Sequence, residues 1–396
     1  MDFSLSPEHE DLRDTLRAFF EKVAPASVVA AHDRDERFPQ DIYEQMAQLD
    51  LCGVGFGPEY GGSKTDELTI CIIAEEVARI SASLSHAYLP TVTFCARGIA
   101  DFGTGDQRAA ILPRLAAGEV RMAVGLSESE AGSDLTRLST RAAIDPAHPD
   151  EFVINGYKVF IDGADTADYI FAFVRTDPEA IAHRGLSALL VPAGTPGVAI
   201  NKLPKLAGQA THTCEVFFDG VRVPAASLVG ELNGGAKIIF RLLDGDRIHT
   251  AAQGVGIAQG ALDQALQCAK EGRQFGKPII EDQAVGHLLA EMAMQVRSAR
   301  LIVYHAAWKL DQGLPCSMEA SMAEVIGAEA GTQVAIKGMR VAMKGMQGLG
   351  DYSYVVECGM ERYYREAEFY EIADGTTQVQ KGIVVKHLAA GGLPAL

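Results

Sequence analysis

The sequence FVINGYKVFID at 152–162 belongs to a run of short apolar segments that decides the fold class. Like YIFAFVRT at 169–176 and THTCEVFFDGVRVP at 211–224, it is rich in Val, Ile and Phe and is punctuated by Gly, Asp or Asn, which is typical of β-strands. No helical pattern separates these segments, which disfavours parallel βαβ winding. The pattern therefore predicts an antiparallel sheet, arranged as a barrel or a sandwich.

Apolar residues recur at helical spacing on both sides of this β segment. On the N-terminal side, DELTICIIAEEVARI at 66–80 is the most apolar of several such stretches. On the C-terminal side, two stretches exceed 25 residues, a length that helices in a bundle can reach. We therefore predict an α+β protein with an N-terminal helical domain (1–120), a middle β domain (121–232) and a C-terminal four-helix bundle (233–396).

Composition and charge exclude several classes of protein. Of the 396 residues, 48% are hydrophobic and 22% are charged, which is ordinary for a globular protein with ample material for a core. The formal charge of −17 disfavours a nucleic-acid partner, because phosphate binding requires clustered Lys and Arg side chains. No apolar run approaches the roughly 20 residues that a membrane span requires.

The cysteines and the N-terminal sequence predict a cytoplasmic location. The seven cysteines are scattered and form no CxxC pair, a pattern that favours free thiols over disulfides or a zinc site. The acidic N-terminal sequence lacks the basic and apolar regions of a signal peptide.

A glycine-rich stretch, GVGIAQG at 254–260, imitates a dinucleotide-binding fingerprint. That fingerprint requires a strand before it and a helix after it, whereas this stretch lies inside a continuous helical pattern. Small residues that allow close helix packing explain it better. The sequence also lacks the H-E-x-x-H, G-x-S-x-G and P-loop patterns, so no metal site is predicted and hydrolase or nucleotidase chemistry is disfavoured.

Four stretches carry polar or aromatic residues at turns. LSESEAGSDLTRLST (126–140) offers hydroxyls and backbone N–H groups to a cofactor or phosphate, although a polar β-turn would look the same. A hairpin follows with an aromatic residue at Phe160, and GRQFGKPIIEDQAV (272–285) separates two helices with a basic, aromatic turn. In the fourth stretch, Asp374 precedes Gly375 between two helices, as a general base or simply as a common Asp-Gly turn.

Taken in order, these stretches resemble the acyl-CoA dehydrogenase family over essentially the whole chain. PEYGG at 58–62 resembles the family's PxEYGG turn, and LSESEAGSD resembles its LSEPxAGSD signature. YKVFID, RQFGKPI…Q and MQGLG resemble the family's KxWIT, QFGxxI…Q and GGxG segments. REAEFYEIADGTTQVQ at 365–380 resembles its R[DE]A…IYEGTxQIQ block.

The resemblance implies FAD bound non-covalently between the β domain and the C-terminal bundle. It also implies an acyl-CoA substrate, electron-transfer flavoprotein as the electron acceptor, and a homotetramer whose neighbouring subunit completes each site. The positions that it assigns to the cofactor are Leu126, Ser127, Gly132, Ser133, Phe160, Asp162, Arg273, Phe275, Ile279, Gln283, Lys344, Gly348, Thr376 and Gln378. Those that it assigns to the substrate are Ser133, Arg247 and Asp374.

The family's base is a glutamate, and the matching residue here is Asp374. Some relatives carry the base on an earlier helix, at the position of Asp246, which is therefore the alternative. Asp246 also has a simpler interpretation, in which it pairs with the adjacent Arg247 and orients that side chain. An aspartate is shorter than a glutamate, and a displacement of about 1 Å can cost roughly a hundredfold in rate. A branched or alicyclic acyl group would bring the α-carbon closer.

Asp162 stands where the family usually has a threonine near the flavin. Either its carboxyl lies beside the flavin, or Asp162 and Gly163 form a slightly shifted hairpin turn. The resemblance thus implies α,β-dehydrogenation of an acyl-CoA by an FAD-dependent enzyme. The alternatives are an enzyme of the same fold with altered chemistry (enoyl-CoA reductase, desulfinase-like or nitroalkane oxidase-like) and a catalytically silent binding protein.

Overall fold

A computed structural model describes residues 4–345 and 359–392. Its N-terminal part is helical, and side-chain caps fix several helix starts: Ser6 accepts from His9 N, and Asp66 accepts from Thr69 N. A π-helical segment, Pro90–Cys95, joins the fifth and sixth helices. The helices are α1 (Pro7–Val23), α2 (Ala26–Arg34), α3 (Gln40–Ala47), α4 (Glu67–Ile80), α5 (Ala82–Leu89), α6 (Ala96–Phe102) and α7 (Gly105–Ala116).

The middle part forms a sheet of eight strands in the order β6-β7-β3-β2-β4-β5-β8, with β1 paired to β4. The strands are β1 (Met122–Gly125), β2 (Arg141–Asp145), β3 (His148–Asp162), β4 (Tyr169–Arg175), β5 (Leu186–Pro192), β6 (Val198–Leu203), β7 (Thr213–Pro224) and β8 (Leu228–Val229).

Most strand pairings are antiparallel, as predicted, but the sheet is mixed. β1 runs parallel to β4 over four residue pairs, and β2 meets β4 in one parallel pair. Parallel neighbours require a crossover connection, which the β2–β3 hairpin supplies between β1 and β4. Alternation of apolar residues within single strands does not reveal this long-range pairing.

The C-terminal part is helical, as predicted, with three long helices and two shorter ones in the described residues. They are α8 (Gly235–Glu271), α9 (Gln283–Asp311), α10 (Ser317–Gly345), α11 (Met360–Tyr370) and α12 (Thr377–Gly391). A small hairpin of β9 (Arg273–Gln274) and β10 (Lys277–Pro278) separates α8 from α9. None of the helices in the described part of the chain is long and apolar enough to span a membrane.

The glycines of GVGIAQG lie in the middle of α8 and allow close helix packing, which confirms the preferred interpretation of that stretch. A Cβ atom at Gly254 would lie 2.5 Å from the carbonyl oxygen of Gly327 on α10. One at Gly256 would lie 2.2 Å from the carbonyl oxygen of Glu75 on α4. Both distances are too short for a carbon atom, so α8 reaches its neighbours only because these positions lack side chains.

Gly256→Ala is expected to destabilise the protein by about 1–3 kcal/mol, because the added methyl group meets rigid backbone. The apparent midpoint of thermal unfolding should fall accordingly. Gly382→Ala on α12 is the matched control, since its new methyl group meets no atom within 4 Å and alanine is the better helix former. Equal shifts in the two variants would contradict the packing argument.

Candidate active site

The turn between α11 and α12 holds Asp374 in an unusual backbone conformation. The φ angle of Asp374 is +52° and that of Gly375 is +99°. The buried Gln380 fixes this turn, because its Nε2 donates to the carbonyl oxygens of Asp374 (3.3 Å) and Gly375 (3.0 Å). Thr376 caps α12 by accepting from Val379 N. A left-handed conformation in a non-glycine residue is typical of functional sites, so this turn is a strong candidate.

The carboxyl group of Asp374 lies against α8. Thr250 Oγ1 donates to Asp374 Oδ2 at 2.6 Å. Burial raises the pKa of Asp374, while the Thr250 hydroxyl and Arg247 oppose the rise. The side chain nevertheless remains accessible to solvent, as expected of a group that meets a ligand. One oxygen is therefore anchored by Thr250 while the other has no hydrogen-bond partner within the described residues.

Asp246 lies one helical turn before Thr250 and belongs to the same site. Burial and the carboxylate of Asp374 hold the pKa of Asp246 well above its usual range. Two acids this close cannot both ionise easily, so they titrate as a pair. The structure thus brings the predicted base and its alternative together.

Arg247 pairs with Asp244 rather than with Asp246, so the structure does not support the simpler interpretation in which Asp246 orients Arg247. Arg247 Nη1 lies 2.9 Å from Asp244 Oδ1. Residues three apart on a helix face each other, whereas adjacent residues point in different directions. The Nε atom of Arg247 is buried and has no hydrogen-bond partner among the described residues, which leaves one donor for a ligand.

Glu324 on α10 adds a third carboxyl group that sequence reasoning missed. Its side chain is 1% exposed, and neither oxygen has a hydrogen-bond partner within residues 4–345 and 359–392. Burial raises the pKa of Glu324 well above its usual range, and Asp374 and Asp246 raise it further. Its only sequence signal is a charge within the otherwise uncharged run ASMAEVIGA.

Asp162 ends β3 and faces the same site from the sheet. Its carboxyl group accepts a hydrogen bond from the hydroxyl of Thr213 on β7. Burial raises the pKa of Asp162, Lys205 and Thr213 oppose this rise, and Asp374 adds to it. A turn follows at Gly163, where φ is +69°. The structure therefore supports the alternative in which a turn follows Asp162, while the position of its carboxyl group beside a flavin stays a prediction.

A buried ion pair supports the segment that follows β1. Lys158 Nζ donates to Glu128 Oε1 at 2.7 Å and to the carbonyl oxygen of Leu126 at 3.1 Å. Burial by itself would raise the pKa of Glu128, but Lys158 lowers that pKa to about 2. Burial lowers the pKa of Lys158 to about 8. The pair, which the sequence analysis missed, fixes the half-buried Leu126 and Ser127, while Gly132 and Ser133 lie exposed beyond them.

Two predicted aromatic contacts present their rings to the surface. Phe160 is 67% exposed with φ +60°, and Phe275 is fully exposed with φ +50°. A left-handed backbone is unusual for such bulky residues, and an exposed apolar ring gains from covering. Both features fit the planar flavin that the resemblance implies, with Phe160 beside Asp162 and Phe275 at the tip of the β9–β10 hairpin.

The other predicted positions differ in their surroundings. Arg273 and Gln283 are exposed on either side of the hairpin, whereas Ile279 is buried in the core of this chain. Gln378 is exposed in the first turn of α12. Lys344 lies in the last turn of α10, and Gly348 lies outside the described residues.

Comparisons with known proteins agree along the entire chain. Family models described as the acyl-CoA dehydrogenase N-terminal, middle and C-terminal domains match residues 6–119, 123–221 and 233–389. A probable acyl-CoA dehydrogenase of Bacillus subtilis is 36% identical, covering 98% of this chain and 100% of its own length. Acryloyl-CoA reductase (NADH) of Anaerotignum propionicum is 35% identical over 98% of this chain and 96% of its own length. The solved structure of butyryl-CoA dehydrogenase from Megasphaera elsdenii has a TM-score of 0.90 and 32% identity, and the match covers 98% of this chain and 100% of that one.

Glu324→Gln is expected to stabilise the protein at neutral and alkaline pH. In the unfolded chain a glutamate ionises at about pH 4.3, whereas burial resists ionisation of Glu324 in the folded protein. Above about pH 4.3, ionisation therefore stabilises only the unfolded state, and the free energy of unfolding falls as the pH rises. Glutamine removes this loss. The variant should therefore exceed the parent in unfolding temperature at about pH 8, by a margin that shrinks towards about pH 4.

The matched control is Glu329→Gln on the same helix, which removes a surface ion pair with Lys381. Such a pair contributes roughly 0–1 kcal/mol, so only a small shift is expected. A stability difference for Glu324→Gln that stays constant with pH would contradict the assigned burial of an ionisable carboxyl group.

Proposed function

This chain belongs to the acyl-CoA dehydrogenase family, and on that premise we propose that it removes the α-proton of an acyl-CoA thioester with Asp374 as the base. Membership makes the protein an FAD-dependent oxidoreductase. The observation that carries the proposal is the anchored carboxyl group of Asp374, which lies on a left-handed turn, accepts a hydrogen bond from Thr250 of α8 and interacts electrostatically with Asp162 at the end of β3.

Proton abstraction follows from the surroundings of Asp374. Thr250 holds one carboxyl oxygen, which leaves the other to face the substrate. Binding of the thioester expels water from a carboxyl group whose pKa burial already raises, and desolvation strengthens it as a base. The backbone N–H groups of Gly375 and Thr376 adjoin the base, where one of them can bind the thioester carbonyl and stabilise the developing enolate.

The residues named above suit the cofactor on both sides of the site. Leu126, Ser127 and Phe160 would hold the flavin from the sheet, and Thr376 and Gln378 would hold it from α12. FAD supplies the redox chemistry by accepting the β-hydride. Asp162, held by Thr213, would lie beside the ring and place a second acid near the reacting atoms.

An aspartate base would suit any acyl group whose α-carbon lies close to the turn, and a branched or alicyclic group is one example. The carboxyl group of Asp374 reaches less far than that of a glutamate, so the α-proton must approach the turn more closely. Arg247 and the exposed Ser133 are proposed to bind the thioester and CoA portions of the substrate.

A homotetramer, electron-transfer flavoprotein as electron acceptor and a cytoplasmic location complete the proposal. The fully exposed Phe275 at the tip of the β9–β10 hairpin supports assembly, because a neighbouring subunit's flavin would cover it. Five cysteines are free thiols, which suits a reducing compartment: Cys52, Cys71, Cys95, Cys214 and Cys316.

Reduction of an enoyl-CoA is the second candidate. A relative that is 35% identical is an acryloyl-CoA reductase, and the raised pKa values of Asp246 and Glu324 would let an acid beside Asp374 retain a proton for delivery. The rates of flavin reduction by acyl-CoA and of flavin reoxidation by enoyl-CoA decide between the two directions.

Asp374→Asn is expected to slow anaerobic bleaching of the bound flavin by acyl-CoA roughly 10²–10⁴-fold, because a general base is lost. Its FAD content and acyl-CoA binding should remain nearly unchanged. Asp246→Asn, the matched neighbour, should cost less. Reversed outcomes would move the base to α8, and full activity in both variants would exclude proton abstraction by these carboxylates.

Phe275→Ala is expected to lower FAD retention at low protein concentration, because a partner's flavin loses an apolar cover. Ile181→Ala is the control, since Ile181 is also an exposed apolar side chain but lies on the β domain, away from this hairpin. Light scattering of the FAD-loaded protein should give about four times the chain mass of 42.3 kDa. A stable FAD-saturated monomer would contradict the proposed assembly.

A further inference from the structure

A small cavity lies next to Asp246, between the π-helical segment with the start of α6 and the first half of α8. The cavity is lined by Thr93, Phe94, Arg97, Leu242, Asp246 and His249. It has room for about one water-sized group, so a hydroxyl group fits it and a longer chain end does not.

His249 contributes an unpaired hydrogen-bond acceptor to this cavity. Its Nε2 lies 2.8 Å from Glu67 Oε2, and its Nδ1 is buried without a partner among the described residues. Burial lowers the pKa of His249, although Glu67 opposes this, so the ring is neutral at pH 7. With the Nε2 proton donated to Glu67, Nδ1 carries a lone pair and can only accept.

The other polar groups of the cavity are largely committed. Arg97 Nη1 donates to Glu67 at 2.7 Å, and Thr93 Oγ1 donates to the carbonyl oxygen of Leu89 at 2.7 Å. The carboxyl group of Asp246 has no hydrogen-bond partner within the part of the chain that the structure describes, and its raised pKa lets it retain a proton. The cavity therefore offers an acceptor on His249 and, on Asp246, a carboxyl group that can donate or accept, and a ligand hydroxyl group can satisfy both.

The charges around the cavity favour a neutral ligand. The guanidinium group of Arg97 disfavours a bound cation, and the unpaired lone pair of His249 Nδ1 disfavours a bound anion. A hydroxyl group is the simplest neutral donor that fits so small a space. An unsubstituted alkyl end would bury the acceptors without partners, which carries a penalty.

We propose that this cavity binds a hydroxyl group at the distal end of the acyl chain, so that the preferred substrate is a short hydroxyacyl-CoA. This inference rests on the proposed function. Thr250 anchors Asp374, and Asp246 lies one helical turn of about 5.4 Å further along α8. An acyl chain with its α-carbon at Asp374 therefore reaches the cavity after a few carbon atoms, beyond the carbon that loses hydride.

The test compares matched acyl-CoA thioesters on the full-length, FAD-loaded protein. Butyryl-, 4-hydroxybutyryl-, 4-aminobutyryl- and succinyl-CoA present a methyl, hydroxyl, ammonium or carboxylate group at similar reach. The hydroxyl compound should reduce the flavin with a kcat/KM at least about tenfold above that of butyryl-CoA, since a site built for a hydroxyl group discriminates against the analogue that lacks it. Equal or better reduction by any of the other three would overturn the inference and would mean that water alone fills the cavity or that its chemistry differs.

Variants of the cavity separate this inference from the proposed function. His249→Gln keeps an amide donor for Glu67 but moves the acceptor away from the position of Nδ1, so the ratio of hydroxybutyryl to butyryl kcat/KM should fall towards one while butyryl-CoA still reduces the flavin. Should that variant fail to fold, Thr93→Val makes the opposite wall of the cavity apolar. The same kcat/KM ratio should then fall, and an unchanged ratio would count against binding of a hydroxyl group in the cavity. Failure of every thioester to reduce the flavin would instead refute the proposed function.

Discussion

The close approach of α8 to α4 and α10 is the constraint on which the site depends. Gly254 and Gly256 leave no room for a Cβ atom against the backbones of Gly327 and Glu75. Since protein interiors are close-packed, a single methyl group at these positions must displace a helix. The same contact sets Thr250 and Arg247 of α8 beside the turn that carries Asp374 and beside Glu324 of α10.

This packing concentrates acidic groups in one place. Asp246, Glu324 and Asp374 share a region in which Arg247 is already paired with Asp244. Burial raises the pKa of all three; Asp374 raises that of Asp246 further, and Asp374 and Asp246 raise that of Glu324 further. A raised pKa makes an ionised carboxylate a stronger base and lets a protonated carboxyl group keep its proton. The site is therefore chemically suited both to abstracting an α-proton and to returning one. Electrostatics alone therefore does not fix the direction of the reaction, which the redox partner must decide.

Much of the fold was predictable because local patterns carry it. Helical spacing in 66–80 and strand composition in 152–162 gave the correct element types, and the helical context of GVGIAQG correctly excluded a dinucleotide site. The parallel β1–β4 pair and the Asp244–Arg247 pair were not predicted. Both depend on which residues face each other in space, which adjacency in sequence does not report.

The sequence by itself determined the family, the cofactor and the identity of the two candidate bases, because an acid followed by a glycine at positive φ is a local feature that adjacent residues specify, as in ADGT at 373–376. Only the tertiary structure revealed Glu324, the Lys158–Glu128 pair and the cavity beside His249, since each joins residues that lie far apart in the chain. Burial and proximity give these side chains their chemistry. An acid or a histidine has the same letter in the sequence whether water surrounds it or a helix covers it, and only packing distinguishes the two.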